Sequence, residues 1–309
     1  MKHYLLLVLT CSLLFSCQQD YFVDNVAFTP RLVANSLFTA GSSIDVYVHS
    51  SRNVLDNESS IGEIENALVE IKDASATTIA TLNYDIAGRY FSNDIELIAG
   101  ESYTLEVSSE GFESISATSK IPFQVEASIQ NSNFVTGGIS EDLNVDLQLR
   151  DNDVSDNYYV YEVGDSIALR LSKEEPFKIL NLLDVEILLT TEDLNQEQIA
   201  TNSLLQSRVF LKDKTFANAE YNINFKAKSN PAAAGPVVLT SEQVFSDQRM
   251  RVVTASKNMY EYYKSIESHR IKGAANSSIS EPIAVYSNVS NGLGVFAGYN
   301  DDQINLIQD

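Results

Sequence analysis

Asp151, Asp153, Ser155 and Glu162 stand at positions 1, 3, 5 and 12 of an acidic stretch, the spacing at which an EF-hand loop offers oxygen ligands to calcium. Position 6 is Asp156, where that loop needs Gly for its sharp turn, and the flanking residues alternate like strands rather than helices. The spacing therefore offers a calcium candidate set against the plainer reading of a solvated acidic turn. Apart from His3 near the start, the histidines are His49 and His269, far apart in the chain. A nucleophile–base pair would need one of them beside an activated Ser or Thr. No Gly-x-Ser-x-Gly elbow, no His-Glu-x-x-His and no phosphate-cradling glycine loop occurs. Carboxylate-only hydrolysis stays open on composition, since 42 acids guarantee chance pairs, and abundance does not mark a site.

A different chemistry sits at the start of the chain. Lys2 precedes an almost unbroken apolar run from Tyr4 to Phe15, too short to span a bilayer, and polar Gln18-Gln19-Asp20 follows. A charged start, an apolar core and a small residue before a polar stretch describe a secretory signal. Its end, Leu14-Phe15-Ser16-Cys17, looks like a bacterial lipobox. In lipoproteins of that kind the Cys thiol is diacylated, the chain is cut before it, and the new amino group is acylated. Each buried methylene contributes about 0.8 kcal/mol, so two or three chains anchor a protein stably. Cleavage would remove Cys11, leaving Cys17 as the sole thiol and excluding a disulfide. The expected anchor is thus a diacylglyceryl and acyl lipid on Cys17, with no other cofactor and no metal beyond the calcium candidate.

The elements that must position these residues are read from periodicity. The chain has 309 residues, 42 Asp plus Glu against 21 Lys plus Arg, and a net charge of −21, which disfavours a nucleic-acid partner. Period-two alternation marks strands at Ile44 to His49, Ala67 to Lys72 and Tyr103 to Ser108, with shorter ones at Leu32 to Leu37, Thr78 to Leu82, Gly88 to Phe91 and Ser114 to Ile121. That pattern predicts a small sandwich closed by Pro122. Beyond a boundary near 122–126, Leu143 to Arg150 and Tyr158 to Val163 flank a turn and read as a hairpin. Strands resume at Ser207 to Leu211, Glu220 to Lys226 and Met250 to Ala255. Met259, Tyr262, Tyr263 and Ile266 fall on one face of a helix, with Ser256 as N-cap and Gly273 as its stop. Pro282 to Ser287 and Leu293 to Tyr299 read as closing strands. The dense tyrosines at 158, 159, 161 and at 260, 262, 263 suit packing better than an interface.

Cys17 followed by Arg31-Leu32-Val33-Ala34, and Asn66 to Ile71 with Gly88-Arg89-Tyr90 and Gly100 to Leu105, resemble a Bacteroidota lipoprotein family, domain of unknown function 4249. The likeness continues in Leu149-Arg150-Asp151 with Asn157-Tyr158-Tyr159. Its most specific stretch is Glu281 to Val289 with Gly292 to Phe296. The resemblance implies a mainly β protein: an immunoglobulin- or transthyretin-like sandwich followed by a β-rich C-terminal domain with one helix. It carries over no catalytic residue. It further implies an outer-membrane protein encoded beside TonB-dependent transporters, and Asp20 and Asp24 near the lipid are loosely like surface-export signals, favouring the cell surface over the periplasm. Ser166 in Asp165-Ser166-Ile167 resembles an O-glycosylation acceptor of some Bacteroidota.

The expected organisation is a signal peptide over 1–16, a lipidated tether over 17–30, a sandwich over 31–123, and a β-rich domain over 124–309 with a helix near 256–272. The expected function is a non-enzymatic accessory of a TonB-dependent transporter in substrate capture or uptake. The alternatives are a structural or assembly subunit of outer-membrane machinery and, behind it, a carboxylate-dependent hydrolase. Cys17→Ala is expected to move the protein from the membrane to the soluble fraction of the envelope, which cell fractionation and labelling with radioactive palmitate would read.

Overall fold

The computed structural model describes residues 28–53, 62–137, 140–151, 156–164, 186–191, 193, 196–197, 208–230, 249–274 and 284–307. In the N-terminal part the strands are β1 (Leu32–Thr39), β2 (Ile44–Ser50), β3 (Gly62–Glu63), β4 (Leu68–Lys72), β5 (Thr78–Thr81), β6 (Asn83–Tyr84), β7 (Arg89–Ser92), β8 (Ser102–Ser108) and β9 (Ile115–Lys120). All but the two-residue β3 and β6 form where alternation predicts them. Leu32, Ala34 and Phe38 on β1, Ile44, Val46 and Val48 on β2, and Tyr103, Leu105 and Val107 on β8 all point into one core. The sheet β5-β4-β8-β9 packs across that core from β1, β2 and β7. Tyr90 sits inside it with its hydroxyl donating to the Ile64 carbonyl and accepting from the Ala67 N–H, each at 2.8 Å.

The rest of the chain adds β10 (Glu126–Gly137), β11 (Ser140–Arg150), β12 (Tyr158–Gly164), β13 (Glu186–Thr190), β14 (Arg208–Lys212), β15 (Glu220–Asn230), β16 (Arg249–Ala255), helix α1 (Lys257–Ala274) and β17 (Leu293–Asn305). Strands β10-β11-β15-β13 form one sheet. Strands β14, β12, β16 and β17 form a layer between that sheet and the helix. Tyr159, Tyr161, Val209, Leu211, Met250 and Val252 face the sheet, whereas Val160, Phe210, Val253, Val295 and Ala297 face Met259 and Tyr260 of α1. Burial on both faces explains the unbroken apolar runs Val209-Phe210-Leu211 and Val252-Val253.

Strand β17 joins the two parts. It runs antiparallel to β16 and parallel to β1, in register from Val33↔Leu293 to Thr39↔Tyr299, so a single nine-stranded sheet carries β14-β12-β16-β17-β1-β2-β7-β6 with β3 paired to β2. Ile121 belongs to the first core and Val125 to the second, and both cores lean on this shared sheet. Phe296 of β17 packs into the N-terminal core against Phe38, ring centroids 4.3 Å apart. Gly294 has φ +112, and a Cβ there would collide with the Ala34 carbonyl; a Cβ at Gly298 would lie 2.5 Å from the Lys120 carbonyl. Only glycine lets these backbones approach so closely.

Four expectations change. Strands β11 and β12 are not a hairpin: β11 pairs β10 and β15, whereas β12 pairs β14 and β16 in the opposing sheet. The reason is burial, since β11 alternates and covers one face only, while β12 is sandwiched on both. Strand β10 was hidden because a bulge between Ile129 and Asn131 breaks its period-two signal. Residues 282–283 lie outside the described residues, and Ala284 to Val289 forms no regular strand. Side-chain bonds hold it instead: Tyr286 N–H donates to Ser265 Oγ and Tyr286 Oη–H to Asn258 Oδ1, each at 2.9 Å. The helix is capped by Ser256, whose Oγ accepts from Met259 N–H at 3.3 Å, but it runs on through Gly273 to Ala274.

If β17 welds the cores, Phe296→Ala is expected to cost about 3–5 kcal/mol by cavity formation. Urea unfolding followed by circular dichroism should show both parts losing stability in one transition.

Candidate functional site

The candidate residues from the sequence do not meet in one place. Cys17, Asp153, Ser155 and Ser166 lie outside the described residues. Glu162, the twelfth position of the acidic stretch, faces α1 from β12 with both carboxylate oxygens taken: Arg208 Nε donates to Oε2 at 2.7 Å and Arg251 Nη1 to Oε1 at 2.6 Å. Burial would raise its pKa, but the two guanidinium groups outweigh burial and hold it below the usual carboxylate range. Five residues of strand separate Glu162 from Asn157, roughly 16 Å at 3.3 Å per residue. Asn157 is the residue that bonds Asp151, so Glu162 is not part of an Asp151 site. His49 lies on β2 and His269 on the exposed surface of α1.

Asp151 is instead folded inward at the end of β11, 3% exposed. Its Oδ1 accepts from Asn157 Nδ2 at 3.1 Å and its Oδ2 from the Asn218 N–H at 3.3 Å, while its own N–H donates to the Ala219 carbonyl. Asp213, following β14 and 5% exposed, joins it: the two carboxyls hydrogen-bond to each other, and the Asn157 N–H also donates to Asp213. Burial and then the neighbouring Asp151 push the Asp213 carboxyl up to about 6, against the downward pull of the Asn157 N–H. This acid pair was invisible in the sequence. Sixty-two residues separate its members (213 − 151), and Lys212-Asp213-Lys214 reads as an ordinary turn.

The pair lies behind a cleft of about 760 Å³ where the two parts of the molecule meet. One wall is the end of β9, the crossing segment 122–125 and the first turn of α1, bringing Lys120, Phe123, Ser256 and Lys257. The other is the start of β12 and the residues before it, bringing Asp151, Asp156 and Tyr158. Such junctions are where ligand sites commonly form, and the volume falls in their usual range. Phe123 is 64% exposed, a large aromatic at the mouth whose ring lies over Gly100, where a Cβ would collide with it. Among the described residues neither Lys120 nor Lys257 is in an ion pair.

Other charged groups are occupied in packing. Glu197 bridges Lys212 at 2.7 Å and Lys264 at 2.5 Å; burial opposes its ionisation, but the two ammonium groups bring it down to about 2. Arg251 spans Glu162 and Asp301. Tyr159, Tyr161 and Tyr260 are fully buried, and Tyr158, Tyr262 and Tyr263 are partly buried against the helix-side core, so the two tyrosine clusters serve packing. Among the described residues no group of three or more His, Cys, Asp or Glu has a metal-holding arrangement, and no helix is long and apolar enough to cross a membrane.

A mainly β body with two cores on a shared sheet and a cleft at their junction is therefore the class of protein that the fold and site define. The chain belongs to the family described as Domain of unknown function (DUF4249), which matches residues 19–305. No curated protein matches it. Among solved structures it is similar to Salmonella alpha-2-macroglobulin in a mutant form, at 9% identity and TM-score 0.23, covering 92% of this chain and 15% of that one. It is also similar to trypsin-activated alpha-2-macroglobulin from Escherichia coli, at 7% identity and TM-score 0.22, covering 74% of this chain and 14% of that one.

The raised Asp213 pKa sets a direction for stability. Its folded value, about 6, exceeds the ordinary 3.8, so the folded state holds the proton more tightly than the unfolded state. The pair costs nothing below the ordinary value. Its cost grows as pH rises and is fully present above about 6, amounting to roughly 3 kcal/mol at most. Asp213→Asn is expected to raise the melting temperature at pH 8 in chelator, with the advantage over the wild type shrinking to nothing as pH falls to about 4.

Proposed function

We propose that this protein is a lipid-anchored outer-membrane accessory of a TonB-dependent transporter, facing the cell surface, and that it acts by recognition rather than by bond-making. The observation that carries this reading is the junction cleft. Its exposed Phe123, Lys120 and Lys257, which pair with no acid among the described residues, and the exposed Asp156 form an apolar surface with a mixed polar rim, the composition of a binding patch. The lipobox at Cys17 and the resemblance to lipoproteins encoded beside transporters supply the anchor and the partner. Anchoring confines both proteins to one membrane and raises their effective concentration, so modest contacts suffice.

The acid pair favours carboxylate-dependent hydrolysis in composition only. Asp213 is sealed, and both carboxyls are committed to each other and to backbone or amide N–H groups, which leaves neither poised over a substrate.

Affinity purification of the tagged protein from outer membrane in mild detergent is expected to recover a large barrel. Phe123→Ala and Lys257→Glu should each lower that recovery several-fold without moving the melting temperature. Recovery of the lipoprotein alone would count against docking, and unchanged recovery in both variants would move the contact away from the cleft.

A further inference from the structure

We propose that Asp151 and Asp213 together hold a divalent cation of the calcium type behind the junction cleft. Three pieces of chain converge there: the end of β11 with Asp151, the residue before β12 with Asn157, and the turn from β14 to β15 with Asp213, Asn218 and Ala219. Both carboxyls are more than nine-tenths buried. Two carboxylates in mutual contact and out of water repel each other strongly unless a positive charge stands with them. The groups reaching the pair from its own elements are N–H donors from Asn157 and Asn218, and Asp156 adds further negative potential.

A separate observation points to a ligand rather than to the acids alone. Asp213 Oδ2 is sealed from solvent and has no hydrogen-bond partner among the described residues, although Asp151 and Asn157 beside it are bonded. A buried carboxylate oxygen left bare costs far more than one that is satisfied. A cation bridging the two carboxyls would supply that partner and cancel the repulsion at once. The donor set is all oxygen, which suits a hard ion, and the irregular, loop-built surroundings suit calcium's variable coordination better than the strict octahedron of magnesium. The site differs from the calcium spacing read in the sequence: it keeps Asp151 but takes its second carboxylate from Asp213, since Glu162 is held by two arginines.

The experiment uses the full lipoprotein in detergent, stripped with chelator and titrated with calcium chloride by calorimetry and thermal melting at pH 7.5. Wild type and Glu162→Gln are expected to bind and to gain several degrees in melting temperature. Asp213→Asn, close in shape to the native residue, should lose roughly tenfold or more in affinity, because site affinity follows the count of charged ligands. Terbium luminescence sensitised by the adjacent tyrosines, displaced by calcium, gives a readout on the wild type alone should that variant fail to fold. Silent calorimetry, an unmoved melting temperature and no terbium signal would overturn the proposal and leave a shared proton in place of the cation. Unchanged calcium binding by folded Asp213→Asn would also overturn it, placing the ion elsewhere.

Discussion

The parallel pairing of β1 with β17 is the constraint on which the remaining structure depends. It brings the first described strand and the last into one sheet, so the N-terminal core is complete only with residues from the far end of the chain. Phe296 and Val289 fill the N-terminal core, while residues beyond them, Ile304 and Leu306, pack on the second. Gly294 and Gly298 allow the approach, because any side chain there would strike a backbone carbonyl. Parallel pairing needs a long crossover, and here almost the entire protein serves as that connection.

The cleft follows from the same joint. With the two cores fixed on one sheet, the segment between Ile121 and Val125 must cross beside the point where β16 gives way to α1. Asn300 Nδ2 donates to the Pro122 carbonyl and Thr254 Oγ1 accepts from the Val125 N–H, pinning the crossing segment at both ends. Phe123, between those pins, is left facing outward. The aromatic at the cleft mouth is therefore held by the scaffold on either side of it, which is how a recognition residue keeps a defined position.

Charge is handled in two ways. On the helix-facing side of the sheet, Glu162 and Glu197 are each shared by two cations, and the desolvation of burial is outweighed by paired guanidinium or ammonium groups. At Asp151 and Asp213 the described neighbours give N–H donors and a further acid, Asp156, and burial dominates. Burial raises the pKa of all these carboxyls, and the net direction turns downward only where paired cations outweigh it.

Much of this architecture was legible in the residues. Alternation in Ile44 to His49 and Tyr103 to Ser108 fixes which side chains face a core, because a strand has period two whatever it pairs with. Ser256 before the Met259, Tyr262 and Tyr263 face fixes the helix start, because capping and amphipathicity are local. Pairing is not local. The sequence could not choose between a β11–β12 hairpin and strands in opposing sheets, could not see β10 through its bulge, and could not set Leu293 to Tyr299 beside Leu32 to Thr39. The candidate site divides in the same way. Asp151 carries a visible ligand pattern, but whether Glu162 or Asp213 accompanies it depends on which faces of β12 and β14 turn inward, and only the packed sheets decide that.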